Sequence, residues 1–246
     1  MIVTKIKYLI EKPMSINLIM IVIKKYVKFM TEQKIAASED LEQTVTKRKR
    51  GRPKCFDEQQ ALQQAMLLFW EYGYEATSMS DLTQALNLSA PSLYSSFGDK
   101  SQLFQRCLEY YLQHEACPIE PIFQSAKTAK IAIELYLYEN IKRLVQDHKP
   151  TGCMLVVAAM NCSEENQPLQ QDLLSKRQQV KQRLYQRLAQ GVQEGDLSTQ
   201  VNVQEMTDFY STVIQGLTLQ ARDGVEKEQL NQVVKHAMQA WSLFEK

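Results

Sequence analysis

From residue 56 onward, apolar side chains recur at intervals of three and four residues, which is the spacing of one face of an α-helix. The first such run follows Asp57, a residue type that can accept hydrogen bonds from the free amides at a helix start. It stops at Gly73, which can adopt the positive φ that closes many helices. The apolar positions of this first predicted helix are Ala61, Leu62, Ala65, Met66, Phe69 and Trp70.

Three further helical segments follow with very short connections: "TSMSDLTQAL", "SAPSLYSSF" and "DKSQLFQRCLEYYL". Thr77, Ser78 or Ser80 can cap the first of them, and Ser89 can cap the second. Asn87, between the two, suits a tight turn. Two short helices joined by such a turn, the second with small outward side chains, are typical of a helix-turn-helix DNA reader. By pattern alone, a small helical bundle without DNA function remains the alternative.

The second half of the chain also shows only helical periodicity, with prolines and glycines between the segments. The predicted helices span 127–148, 154–160, 168–194, 208–222 and 227–244. The segment 154–160 is almost wholly apolar, which predicts a buried helix. Together these patterns predict an all-α fold that contains a helix-turn-helix in its first part.

Charge changes the picture at the front of the first helix. Six of the eight residues from 47 to 54 are basic and none is acidic, while the whole chain carries only +1. The rest of the chain is therefore acidic on balance, and a basic segment of this kind predicts an anionic partner bound at one place. We term residues 47–55 the basic arm. Short basic runs are also common as solvated tails, so the arm alone is weak evidence.

The first thirty residues differ in composition from the remainder, residues 30–46 are polar and predicted to be disordered, and residues 1–46 are excluded from the predicted fold. The apolar run 16–23 is shorter than the roughly 20 residues that cross a bilayer. No small-residue cleavage site follows it, as a secretory signal would require. Three interpretations stay open: a disordered or amphipathic leader, an extension ahead of a start at Met30, and a membrane anchor. We expect no membrane partner and a cytoplasmic location.

Reactive side chains do not form the motif of an enzyme. The five cysteines are irregularly spaced and contain no C-x-x-C pair, which favours a reduced protein. The eight glycines form no phosphate-binding loop, and none of the three histidines lies in a motif for nucleophilic catalysis. His114 and Cys117 could share a helix face as metal ligands, but two ligands do not make a site. We expect no catalytic residues, no cofactor and no metal.

With these residues in view, the segment from 56 to about 112 resembles the N-terminal domain of the tetracycline-repressor (TetR) family of bacterial transcription regulators. The resemblance covers Phe69, Gly73 and Tyr74 at the end of the first helix, the Thr77-Ser78 pair, Leu82, Ala85 and the string "PSLYSSFGDKSQLF". It implies a helix-turn-helix DNA-binding domain over 56–112, with three helices and a fourth connecting helix, and a C-terminal helical domain over 113–246 that dimerises and binds an effector. It also implies a palindromic double-stranded DNA operator and a role that is more often repression than activation.

The resemblance assigns DNA contacts position by position. Thr77 and Ser78 would touch phosphate, Tyr94 and Lys100 would clamp the backbone, and the outer surface of the second helix of the motif would face the groove. The basic arm would attract phosphates, with Arg50 and Arg52 entering a minor groove. The full predicted DNA-binding set is Lys47, Arg48, Lys49, Arg50, Arg52, Lys54, Thr77, Ser78, Ser89, Ala90, Pro91, Ser92, Tyr94, Ser95 and Lys100.

The last two predicted helices would pack against their copies in a second subunit, giving a homodimer that reads two half-sites. The predicted seam consists of Phe209, Val213, Ile214, Leu217, Val233, Val234, Met238 and Trp241. An apolar stripe at helical spacing is also the pattern of an ordinary intramolecular core. Both interpretations therefore stay open at this point.

A small-molecule effector of unknown identity would enter a pocket among the helices of the second half. The expected lining residues are Tyr136, Tyr138, Cys153, Met154, Met160 and Tyr185. Cys153 precedes a predicted helix, where the dipole lowers a thiol's pKa, so a thiol-reactive effector is a second possibility beside simple packing of this cysteine. The alternatives from other classes are an effector-binding bundle without DNA function and an enzyme that modifies small molecules.

Overall fold

The computed structural model describes residues 56–159 and 162–245, and within these ranges the chain forms helices and no strand. The basic arm, Met160 and the first 46 residues lie outside the described residues. The helices are α1 Glu58–Tyr72, α2 Met79–Leu86, α3 Ala90–Phe97, α4 Lys100–His114, α5 Ile119–Ser125, α6 Ala129–Leu144, α7 Met154–Val157, α8 Gln167–Glu194, α9 Val203–Arg222, α10 Lys227–Gln239 and α11 Trp241–Phe244, with one 3-10 turn at Glu164–Asn166.

Local capping explains where α1 begins and ends. The Asp57 carboxylate accepts hydrogen bonds from the amides of Gln59 and Gln60, as the sequence predicts. Gly73 closes the helix with φ of 81°. A Cβ at this position would lie 3.2 Å from the Ala158 carbonyl oxygen, so the glycine permits both the turn and a close approach of two backbone segments.

The α2–α3 turn has the geometry of a helix-turn-helix. The Ser78 hydroxyl and the Asp81 carboxylate form a reciprocal capping box that starts α2. Asn87 ends the helix in the left-handed region, at φ 51° and ψ 43°, which asparagine tolerates better than most residues. Ser89 then caps α3 by accepting a hydrogen bond from the Ser92 amide. The predicted helix bounds in this part of the chain are confirmed to within about two residues.

A first core joins α1, α2, α3 and α4. Phe104 is fully buried and meets the rings of Phe69 and Tyr74 edge-on, with centroids 5.1 and 5.2 Å away. The largest buried side chains of this core are Met66, Phe69, Trp70, Leu82, Leu93, Leu103, Phe104 and Leu108. The same core also includes buried residues from α7 and the start of α8: Met154, Leu155, Ala158, Ala159, Leu169 and Leu173. The predicted division at 112 therefore does not coincide with a gap in the packing.

A second core unites α5, α6, α9, α10 and α11 with the later turns of α8. Its centre includes the buried aromatic pair Tyr210 and Trp241, and the Tyr210 hydroxyl donates to the Ala237 carbonyl oxygen at 3.2 Å. Other buried members are Ile133, Leu137, Ile141, Leu184, Leu188, Met206, Leu217, Leu230 and Val234. Burial of this many apolar side chains is the main stabilising contribution to such a bundle.

Several helices of the second half are shorter than the apolar pattern predicts. The segment 127–148 is helical only from Ala129 to Leu144, because Thr128 caps its start and Val145 leaves the helical region. The apolar segment predicted as a helix over 154–160 is α-helical for a single turn. In contrast, α8 runs for 28 residues and is closed by Gly195 in the left-handed region, as its sequence predicts. No helix in the described part of the chain is both long and apolar enough to cross a membrane.

Candidate nucleic-acid interface and effector cavity

Helix α3 presents one side to the first core and the other to solvent. Leu93 and Phe97 are buried, so the opposite face of this two-turn helix is free. The predicted groove-facing residues lie on that face: Ser89, Ala90, Pro91, Tyr94 and Ser95 are exposed and Ser92 is half-buried. Side chains are small at the N-terminal tip, which permits close approach of the helix backbone to another molecule.

The hydroxyl groups of this face bind one another or the nearby backbone. The Oγ atoms of Ser89 and Ser92 are 2.8 Å apart, and the Ser95 hydroxyl donates to the Ser92 carbonyl oxygen at 3.0 Å. Tyr94 projects further, with half of its surface exposed. None of the groove-facing side chains carries a charge, so electrostatic attraction for an anionic surface must come from neighbouring residues.

Lys100 begins α4 beside this face. Its Nζ lies 4.3 Å from the centre of the Tyr74 ring, a cation–π contact. Burial lowers the pKa of the Lys100 amine, while the carboxylates of Glu75 and Asp81 act in the opposite direction. The charge is thus held in place near the helix start rather than extended freely into solvent.

The predicted phosphate contact of Thr77 needs a correction. Thr77 is 1% exposed, and its hydroxyl donates to the Gly73 carbonyl oxygen at 2.7 Å. Its side chain fixes the α1–α2 turn and does not face solvent. Ser78 is exposed, but its hydroxyl and amide are occupied by Asp81, whose pKa is lowered by hydrogen bonds from Ser78.

The end of α1 is bound to the segment that carries α7. The Tyr74 amide donates to the Ala158 carbonyl oxygen at 2.7 Å, and the Trp70 indole donates to the Gly152 carbonyl oxygen at 3.0 Å. Glu75 accepts hydrogen bonds from the amide and hydroxyl of Ser163, at 2.7 and 3.0 Å. These bonds lower the pKa of the Glu75 carboxyl. Movement of the α7 segment would therefore be transmitted to α1 and the turn before α2.

A cavity of about 210 Å³ lies among α4, α6, α7, α8 and α9. Of the six predicted effector residues, the structure brings Tyr136 and Cys153 to its wall. Tyr138 lines a separate groove with Pro118 and Ile122, and Tyr185 lies on another surface of α8. Met154 is fully buried in the first core, and Met160 lies outside the described residues. Tyr138 and Tyr185 were misassigned because successive residues of a helix are rotated by about 100°, so an error of one or two positions moves a side chain to another face.

The cavity wall also includes residues that sequence reasoning missed. Cys117, Asn140, Arg177, Ser211 and Thr218 all line it. The sequence feature that could have identified them is an isolated polar residue on an otherwise apolar helix face, for example Ser211 between Met206 and Leu217 on α9. No local pattern places those residues opposite one another, because they come from different helices.

The thiol of Cys153 has a higher pKa than the sequence suggests. Burial raises the pKa of Cys153, whereas the hydrogen bond from the Tyr111 hydroxyl at 3.4 Å and the amides of Leu155 and Val156 lower it. Helix α7 has only four residues, so its dipole is small, and desolvation wins. Burial likewise raises the pKa of Cys117 to about 12. Both thiols are therefore protonated near neutral pH.

The predicted dimer seam divides into two sets. Leu217, Val234, Met238 and Trp241 are buried within the chain, so these four belong to its own core, which corrects that part of the prediction. Phe209, Val213 and Ile214 are half-buried and Val233 is 47% exposed. Leu219 and Leu243, which the sequence prediction omitted, are exposed apolar residues on the same pair of helices and their extension.

The possible metal pair does not gain further ligands. His114 is exposed and its Nδ1 lies 2.9 Å from the Tyr110 carbonyl oxygen, while Cys117 faces the cavity. Within 56–159 and 162–245, no three histidine, cysteine or acidic side chains cluster in a way that could hold a metal ion.

Comparison with known proteins covers both parts of the chain. Residues 61–107 match the family model of the bacterial regulatory proteins of the tetR family, and residues 135–240 match that of the tetracyclin repressor-like C-terminal domain. The transcriptional repressor ComR of Escherichia coli K12 is 32% identical over 196 residues, covering 79% of this chain and 93% of ComR. The repressor BdcR of the same organism is 31% identical, over 73% of this chain and 86% of BdcR.

A solved structure with a similar fold contains nucleic acid. It is a cysteine mutant of the TetR family transcriptional regulator CifR, complexed with 26-base-pair double-strand operator DNA. It is 36% identical to this chain, with a TM-score of 0.75, and the match covers 77% of this chain and all of that one.

Proposed function

The chain belongs to the tetR family of bacterial regulatory proteins and is a DNA-binding transcription regulator, and we propose that it is a repressor that a small-molecule effector releases from a palindromic operator. The observation that carries the proposal is the free outer face of α3, which projects from a packed helix-turn-helix with small residues at its tip. A major groove admits a helix of this kind.

In the proposed complex, α3 enters the major groove with Ala90 and Ser92 near the base edges. Apolar contacts to thymine methyl groups and DNA shape supply much of the specificity, since few groups on this face can read bases by bidentate hydrogen bonds. Tyr94 donates to phosphate, and Lys100 and the basic arm supply charge. Thr77 acts indirectly here, by holding the turn that positions Ser78.

Two copies form the reading unit, because a single helix-turn-helix grips too few base pairs to bind tightly. The described surface that supports this is an apolar set on α9–α11, in which Leu219, Val233 and Leu243 are exposed and Phe209, Val213 and Ile214 are half-buried. The buried set Leu217, Val234, Met238 and Trp241 holds the two helices in place from inside.

The cavity is the proposed effector site. Leu112 on α4 and Leu155 and Val156 on α7 line it, and α7 is bonded to the end of α1. A ligand that displaces α7 or α4 would change the angle at which α3 is presented, and so the spacing of the two reading units. We place the protein in the cytoplasm, where its operator would be, and assign it no catalytic role; turnover of a small molecule by the purified protein would contradict the latter.

Tyr94→Ala should weaken binding to specific and unrelated duplexes alike, on the order of tenfold, because a lost phosphate contact carries no sequence information. Changes at Ala90 or Ser92 should instead alter which sequence is preferred. The measurement is fluorescence anisotropy on duplexes selected from random DNA. Tyr185→Ala, on α8, is the matched control, and full affinity of the Tyr94 variant would refute this docking.

Release of DNA by N-ethylmaleimide should be slow at pH 7 and accelerate about tenfold per pH unit, because the reactive thiolate is a minor species below the raised pKa of Cys153. Cys153→Ser should abolish the release, whereas Cys162→Ser should not. The decay of anisotropy with time gives the rate at each pH. Release that persists in the Cys153 variant would remove the thiol from the mechanism.

A further inference from the structure

The polar groups around the effector cavity are uneven in charge. Arg177 and Lys181 reach its wall, and none of the described lining residues is an aspartate or a glutamate. The remaining polar lining groups are amides, hydroxyls and protonated thiols. A cavity wall with two cations and no acid among its described residues favours an anionic ligand over a neutral or cationic one.

Arg177 differs from every other arginine of residues 56–159 and 162–245. Five arginines have a carboxylate within 4.0 Å: Arg106, Arg143, Arg183, Arg187 and Arg222. Arg177 instead donates from Nη1 to the Leu155 carbonyl oxygen at 2.7 Å. Burial lowers the pKa of its guanidinium, which reflects a desolvation cost that no carboxylate of the described residues offsets.

Ser211, on α9, provides a second, independent observation in the same cavity. Its side chain is 8% exposed, and its Oγ atom has no hydrogen-bond partner among the described residues. A buried hydroxyl without a partner costs free energy that a bound oxygen atom would recover. Lys181 lies one turn after Arg177 and adds positive charge near the cavity, but it already forms an ion pair with Asp208.

The remaining lining residues indicate the chemistry of the rest of the ligand. They are largely apolar: Leu112, Ile119, Leu155, Val156, Val180, Leu184 and Ile214. The volume of about 210 Å³ is that of about seven liquid water molecules. This is room for one ring or short branched chain with one polar head.

We infer that the effector of this protein is a small apolar carboxylic acid, with its carboxylate on Arg177 and Ser211 and its hydrocarbon part against α4 and α8. The inference rests on the proposed role of the cavity as an effector site and names the chemical class that fits it. The link to regulation follows from the same arginine. A carboxylate competes with the Leu155 carbonyl for the Arg177 guanidinium, and Leu155 belongs to α7, which is bonded to the end of α1.

Phenylacetate and phenylacetamide are the test probes, because they match in size and shape and differ in charge. Calorimetric titration of the full-length protein should show phenylacetate binding at least tenfold more tightly than phenylacetamide. Arg177→Gln should remove that difference by weakening phenylacetate alone. Ser211→Ala should weaken the binding of phenylacetate several-fold. This second variant tests the inference if circular dichroism shows that Arg177→Gln does not fold.

Arg183→Gln is the matched control, since it removes the same charge from the same helix outside the cavity, and it should leave binding unchanged. Equal affinity for the two probes, no binding of either, or wild-type affinity in both cavity variants would overturn the inference. DNA release is measured separately by anisotropy. Phenylacetate that binds through Arg177 without releasing DNA would leave the ligand class standing and reject the proposed effector function of the cavity.

Discussion

Neutralising the basic arm should lower affinity for operator DNA by on the order of a thousandfold at physiological salt. The six basic side chains of residues 47–54 lie directly before α1, and α3 itself presents no charge. Each neutralised phosphate contributes about 0.9 to the slope of log affinity against log salt. Replacing all six by glutamine should therefore flatten that slope by about five per subunit.

The measurement is operator binding by fluorescence anisotropy between 50 and 400 mM salt. The control instead replaces six basic residues of the C-terminal half by glutamine: Lys130, Lys142, Lys176, Arg183, Lys227 and Lys235. This control has the same net charge as the variant with the neutralised arm, but its arm is intact. If the slope of log affinity against log salt falls equally in both variants, the arm has no special position at the DNA and acts only through net charge.

Phe104→Ala should lower the free energy of unfolding by about 3–5 kcal/mol, because it removes a fully buried ring and leaves a cavity. Phe104 meets Phe69 and Tyr74 edge-on in the first core. DNA binding should fall as well, since Tyr74 in turn supports Lys100. Urea denaturation followed by circular dichroism gives the change in stability.

Tyr72→Ala is the comparison for that substitution, because Tyr72 is 64% exposed and lies in sequence between Phe69 and Tyr74, the two ring partners of Phe104. It should change stability by no more than about 0.5 kcal/mol. A loss below about 1 kcal/mol in the Phe104 variant would mean that the first core is not packed as described.

The helices and caps of the first half could be predicted from sequence because their causes are local. Asp57, Ser78, Ser89 and Asp99 each bind amides two or three residues away, and Asn87 closes α2 through its own backbone preference. Such interactions are legible in a short window of sequence. The same holds for the outward face of α3, whose inward positions are apolar.

The effector cavity and the dimer seam could not be predicted in the same way. Arg177, Ser211 and Cys117 come together only through packing of helices that are far apart in sequence. Leu217 and Val233 have the same periodicity, yet the first is buried within the chain and the second is exposed. The sequence of an apolar stripe does not determine which neighbouring helix covers it. For Cys153, burial raises the thiol pKa, whereas an argument from the helix dipole alone predicts that it is lowered.

The sharing of the first core by α7 and the start of α8 has a consequence for protein engineering. A fragment ending at residue 112 would keep α3 but lose Met154, Leu155 and Leu169 from the first core. The same fragment would leave the Trp70 indole without its acceptor at Gly152. Chimeras that exchange DNA-binding domains between relatives should therefore carry residues 152–173 along with the first 112. The unit that can be transferred with its core complete is discontinuous in sequence.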